Sequence, residues 1–160
     1  MKKLITVLLT AMLFIASSAY AGKFEDGMNA FTKGNFKQAI ALFKPLALQG
    51  DDKAQFNLGF MYSNGQGVAQ DYVEAVKWYK LAAAQGNASA QLNLGFMYYN
   101  GQGVAQDYVE AYIWSNLAAI TGAKDAVGNR ELYAKKLSQK QLAEAQKLSR
   151  ECLARKYKDC

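Results

Sequence analysis

The sequence predicts an all-α fold, a right-handed α-solenoid of about four helical hairpins behind an N-terminal signal peptide. Three observations predict it. Residues 54–89 and 90–125 are identical at 25 of 36 positions, and NGQGVAQDYVEA stands both at Asn64–Ala75 and at Asn100–Ala111. A fixed period of this length marks stacked supersecondary units. Apolar residues recur at helical spacing within each unit, and no stretch alternates as a half-buried strand does.

The elements follow in chain order. Met1–Ala21 opens with Lys2 and Lys3, continues through the apolar run Leu4–Ile15 and closes on Ala19-Tyr20-Ala21, the layout of a cleaved secretory signal. The run is shorter than the roughly 20 residues a bilayer span needs. Cleavage after Ala21 leaves a mature chain of 139 residues with no membrane span, bound for the periplasm or the cell exterior. Residues 22–53 read as a shorter, divergent hairpin. Asn35 falls 36 residues before Asp71 and is expected to cap its second helix. Pro45 falls where Leu81 and Leu117 fall, which predicts a kink or an early turn.

In residues 54–89 the first helix carries Ala54, Leu58, Met61 and Tyr62, and the second carries Ala75, Trp78, Leu81, Ala82 and Gln85, with a Gly-rich loop between them. Residues 90–125 repeat the pattern. Asp71 with Glu74, and Asp107 with Glu110, have capping-box spacing, the Asp accepting an amide and the Glu reaching back to the cap. Gly86 and Gly122 provide the left-handed residue that ends a helix. Residues 126–160 read as two capping helices with a basic tail, the second opening on the capping box Ser138–Gln141.

Charge and composition narrow the function. The net charge of +6 becomes +4 without Lys2 and Lys3; residues 22–125 carry −1 and residues 126–160 carry +5. In an exported chain this basic tail reads as a solvated helix face rather than a nucleic-acid surface. There is no histidine, the commonest general base and metal ligand. No metal, no cofactor and no catalytic constellation is expected. The two cysteines, Cys152 and Cys160, are expected to pair in an oxidising compartment.

Other motifs resolve into structure. Gly65-Gln66-Gly67 lacks the third glycine of a dinucleotide fingerprint, since Gln70 stands there, and it follows a helix rather than a strand. The paired carboxylates are accounted for by the helix starts, which weighs against a glycosidase pair. Trp78 and Trp114 lie in phase with the buried stripe and are expected in the core rather than on a sugar-stacking platform.

The segment AQFNLGFMYSNGQGVAQDYVEAVKWYKLAAAQG resembles the Sel1-like repeat, a relative of the tetratricopeptide repeat. The elements that carry the likeness are Ala54, Leu58-Gly59, Tyr62, Gly65-x-Gly67-Val68, Asp71, Ala75, Trp78, Ala82-Ala83 and Gly86, all recurring after 36 residues. Gly34-x-Phe36-x-x-Ala39 in the first hairpin is more similar to the tetratricopeptide form. The resemblance implies a scaffold for a protein or peptide, with no general catalytic residues. It also implies that the outer stripe of the first helices lines a concave groove. That stripe holds Phe56, Phe60 and Ser63, then Leu92, Phe96 and Tyr99, with Phe24, Met28 and Phe31 before them and Asn64 and Asn100 as flanking hydrogen-bonding groups. The same stripe could serve only to pack neighbouring hairpins. Tyr99 replaces Ser63 in an otherwise identical stretch, which marks it as a partner anchor that the core does not need. The alternative is a cell-envelope enzyme of the β-lactam or peptidoglycan type, although this chain lacks the cysteine pair in each repeat found in such relatives.

Overall fold

Most helices of this chain begin where a side chain satisfies one of the first free amides. Asp51 accepts from the Ala54 amide at 2.7 Å, Asp71 from Glu74 at 2.9 Å, and Asn87 from Ala90 at 3.0 Å. Asp107 accepts from both Val109 and Glu110, at 2.8 and 3.1 Å. Each such cap stabilises its helix by about 1 kcal/mol. The computed structural model describes residues 22–157 and 160; the expected signal peptide lies outside them. Among the described residues there are eight helices and no strand. They are α1 (22–32), α2 (Phe36–Leu48), α3 (Asp52–Asn64), α4 (Tyr72–Ala83), α5 (Ala88–Asn100), α6 (Tyr108–Ile120), α7 (Lys124–Ala134) and α8 (Gln139–Ala154).

Three sequence expectations need correction. The Glu half of the capping boxes at Asp71 and Asp107 does not form, because the cap amides already donate to the carbonyls of Tyr62 and Tyr98, each at 3.0 Å. Glu74 pairs with Lys77 instead, and Glu110 accepts from the Trp114 indole at 2.9 Å. Among the described residues only Ser138 and Gln141 complete a reciprocal box. Asn35 is the residue before α2, but its backbone is not extended like the other caps, and its side chain makes no capping bond. Pro45 causes no early turn. It sits in the last turn of α2, where Ala41 and Pro45 are both exposed, so water takes the freed carbonyl and the helix runs on to Leu48. The expected capping unit is present as α7 and α8, with α8 packing chiefly across α6.

The helices stack in sequence: α2 on α3, α3 on α4, α4 on α5, α5 on α6, and α6 on α7. Small residues set the spacing. Ala54, Ala90 and Ala126 stand 36 residues apart and are fully buried, as are Ala75 and Ala111. A Cβ on Gly27, Gly59 or Gly95 would come within 2.6–2.7 Å of Phe43, Tyr79 or Ser115, one hairpin after another. The repeat therefore continues into the first hairpin, with a loop four residues shorter. It also continues into α7, where the buried Tyr133 takes the place of Met61 and Met97.

The twice-written dodecapeptide has a mechanical role. Its loop lies over the start of the preceding hairpin's second helix. A Cβ on Gly67 would stand 2.7 Å from the Phe36 carbonyl carbon, and one on Gly103 would collide with the Tyr72 carbonyl oxygen. Only glycine permits that approach, and both residues have positive φ. Two buried glutamines make a second tie between hairpins. Gln55 donates to Ala47 O at 3.0 Å and Gln91 to Ala83 O at 3.1 Å, satisfying carbonyls at the end of the preceding helix.

Trp78 and Trp114 are core residues, 8% and 3% exposed. One apolar cluster gathers α1–α3 with Trp78; the other runs from α4 to α8 and includes Trp114 and Cys152. The disulfide Cys152–Cys160 is present, with Cα atoms 5.3 Å apart. The chain turns back for it through Lys156 and Tyr157, at φ 53° and 64°. Helix α8 has already ended at Ala154, which leaves the residues that follow free to make this turn. No helix among the described residues is long and apolar enough to cross a membrane.

A candidate partner-binding face on the first helices of the repeats

The outer face of α3, α5 and α7 carries an apolar row. Phe60, Phe96 and Leu132 stand 36 residues apart, and Met28 on α1 holds the matching place in the shorter hairpin. Phe60 and Met28 are half-buried, whereas Phe96 is 49% exposed and Leu132 45%. Large apolar side chains left partly exposed in register on successive helices mark this face as a candidate interaction surface.

Of the stripe residues expected from the sequence, Phe60, Ser63, Asn64 and Phe96 meet in one cleft of about 230 Å³ between α3 and α5. Tyr72 and Tyr79 of α4 wall it, with Asn93 and Met97 of α5 and Gln102 from the following loop. Ser63 Oγ donates to Phe60 O at 2.9 Å and lies 3.4 Å from the Tyr79 hydroxyl. Burial pushes the Tyr79 phenol up to about 12, and the Ser63 contact only partly offsets this, so it holds its proton at neutral pH.

The other four residues are placed differently. Phe56 is half-buried, its ring 5.9 Å from Tyr79 and 6.4 Å from Phe60, and acts as packing between α3 and α4. Leu92 is half-buried on α5. Tyr99 is not a free ring. It stacks on Tyr133 of α7 at 4.5 Å and tilts against Tyr108 of α6 at 5.4 Å. Asn100 donates to Phe96 O at 2.9 Å, as Asn64 does to Phe60 O at 2.8 Å, so both amide groups bond their own helices. Sequence reasoning missed Leu132 and Tyr72. Leu132 was legible as the residue 36 positions after Phe96, but the lower similarity of α7 hid the register. Tyr72 stands beside the cap Asp71 in the sequence, with nothing there to mark it as a cleft wall.

Among the described residues no group of histidine, cysteine, aspartate and glutamate is arranged to hold a metal ion. Nor do the cleft walls contain a carboxylate.

Comparison with known proteins agrees with this architecture. The family model described as Sel1 repeat matches residues 15–51, 52–87 and 88–120, and so includes the first hairpin. No curated protein matches the chain. Two of the similar solved structures are informative. One is a protective antigen present in uropathogenic Escherichia coli strains and displaying an SLR fold, at 36% identity and TM-score 0.81, covering 86% of this chain and 30% of the antigen. The other is a Sel1 repeat protein from Oxalobacter formigenes, at 32% identity and TM-score 0.70, covering 86% of this chain and 57% of that one. The chain thus spans under a third of the first and a little over half of the second. Three matched repeats, the shared solenoid and the 36-residue register together mean that the chain belongs to the Sel1 repeat family.

Proposed function

We propose that this protein is an extracytoplasmic scaffold that binds a protein or peptide segment along the first-helix face of its repeats. Sel1 repeats are commonly protein-interaction scaffolds. The observation that carries the reading for this chain is the row of half-buried Phe60 and half-exposed Phe96 and Leu132, beside a cleft with an aromatic wall. Aromatic anchors in concave, well-packed surfaces dominate the energetics of such binding. The Cys152–Cys160 bridge and the signal-like Met1–Ala21 support export to the periplasm or beyond. An envelope enzyme gains no support from the cleft, whose hydroxyls have neither a general base nor a carboxylate beside them.

The test is a photo-crosslinking residue placed at Phe96 and, separately, at Leu81 on α4, in chain exported by a Gram-negative host. Discrete adducts from position 96, absent from position 81 and displaced by excess unlabelled protein, are expected. Equal labelling at both positions overturns the face assignment.

A further inference from the structure

The cleft between α3 and α5 is a place where an aromatic ring is missing. The penultimate residues of α1, α3 and α5 are Phe31, Ser63 and Tyr99. In the first hairpin the Phe31 ring lies 5.5 Å from Phe36, the first residue of α2, and 6.1 Å from Phe60 on the next hairpin. In the third, the Tyr99 ring lies 5.4 Å from Tyr108, the first residue of α6, and 4.5 Å from Tyr133 on the next hairpin. The matching walls around Ser63 are Tyr72, Phe96 and Met97. All three line the cleft, and Ser63 is too short to reach across it.

We infer that this niche is a specificity pocket for one aromatic side chain of a bound peptide, with the partner's ring standing where Phe31 and Tyr99 stand in the flanking hairpins. The inference rests on the scaffold reading above and names its anchor. Three aromatic or thioether walls suit a flat ring, and methionine sulfur makes favourable contacts with ring edges. The polar groups on the floor are already engaged: Ser63 with Phe60 O, and Tyr79 beside Ser63. The floor therefore demands no charged or strongly polar ligand. Asn64 and Asn93, at the rim, direct their Nδ2 groups to the helix carbonyls of Phe60 and Ser89, at 2.8 and 3.0 Å. Their amide oxygens remain as acceptors for a peptide N–H. Tyr79 does not itself fill the niche. Phe43 occupies its place in the first hairpin while Phe31 is also present, so two rings at these places coexist there; Tyr79 adds its hydroxyl, 3.4 Å from Ser63 Oγ.

The test uses the mature oxidised chain and a phage-displayed random peptide library, with N-acetyl-tyrosinamide and N-acetyl-alaninamide as small probes followed by NMR. Selected peptides should share one Phe, Tyr or Trp, and its replacement by alanine should weaken binding by roughly tenfold or more, as for an anchor residue. N-acetyl-tyrosinamide alone should shift the Ser63, Asn93 and Gln102 amides. Ser63→Tyr should restore the self-filled state, keep or raise the melting temperature and remove both effects; Ser63→Leu serves if the tyrosine variant fails to fold. Peptide binding abolished by Phe96→Asp but untouched by the Ser63 variants overturns the pocket and leaves the scaffold face standing. Binding untouched by every one of these variants overturns both readings, as does the selection of no peptide.

Discussion

Replacing Tyr99 by alanine separates packing from binding on the first-helix face. From the sequence, Tyr99 is dispensable to the core because Ser63 holds the same place in the preceding repeat. From the structure, its ring covers Tyr133, which is only 1% exposed, and leans on Tyr108. Removing a fully buried aromatic side chain costs about 3–5 kcal/mol. Tyr99 is half-buried, so less is lost from burial. Each of its two ring pairs contributes about 0.5–1.5 kcal/mol beyond burial. Tyr99→Ala should therefore destabilise the fold by about 2–3 kcal/mol, a fall of roughly 10 °C in melting temperature for a domain of this size.

Urea titration followed by circular dichroism measures that loss, and alkaline titration of the phenols shows where it arises. The Tyr133 phenol is pushed up to about 12, chiefly by burial and secondarily by the neighbouring Tyr99 hydroxyl. Uncovering it should bring its pKa down toward the ordinary value near 10. Its folded pKa lies above its unfolded one, so the wild type loses this part of its stability as pH rises from 10 to 12; the variant should lose less across that window. Trp114→Ala, at a site 3% exposed, is the reference for a core aromatic, with an expected cost of about 3–5 kcal/mol. A Tyr99→Ala protein that melts within about 2 °C of wild type, with Tyr133 still titrating near 12, would refute the packing role and return Tyr99 to the groove.

Three further outcomes are expected. Asp71→Ala and Asp107→Ala should each cost about 1 kcal/mol, and the double variant about the sum, because the two caps share no partner; melting curves unchanged by both would contradict the capping bonds. Cys152→Ser should lower stability by about 2–3 kcal/mol on the loop-entropy model. It should also expose the chain after α8 to limited proteolysis, because the bridge holds Tyr157 against Gly86; equal protease resistance with and without the bridge would show that the Tyr157 contact suffices. Glu110→Gln tests a half-buried carboxyl. Burial raises the Glu110 pKa more than the Trp114 indole lowers it. The folded state therefore keeps this proton longer than the unfolded one, and stability falls as pH rises from the unfolded value through the folded one. The glutamine variant, which can still accept from Trp114, should be the more stable protein at pH 7 and lack that fall; melts between pH 4 and pH 7 that track the wild type would refute it.

Features that recur were legible in the sequence because recurrence samples the same packing constraint more than once. The buried alanines, the caps at Asp71 and Asp107, the core tryptophans and the α-solenoid itself all follow from the 36-residue period. Features that depend on what lies across a helix crossing were not. Glu74 and Glu110 share one sequence context but not one partner: Lys77 draws Glu74 outward, whereas Ile113 at the matching position leaves Glu110 to Trp114. The contrast between Ser63 and Tyr99 raises the same difficulty for the candidate site. A difference between two repeats does not say which member is the exception. Read along the chain, it marked Tyr99 as the ring without a structural duty. The rings around Phe31 and Tyr99 weigh the other way: in both flanking hairpins the position is filled and packed, so Ser63 is the exception and the opening lies beside it. Stripe periodicity identifies the helix face, but only the distances between neighbouring hairpins distinguish a ring that binds from a ring that fills.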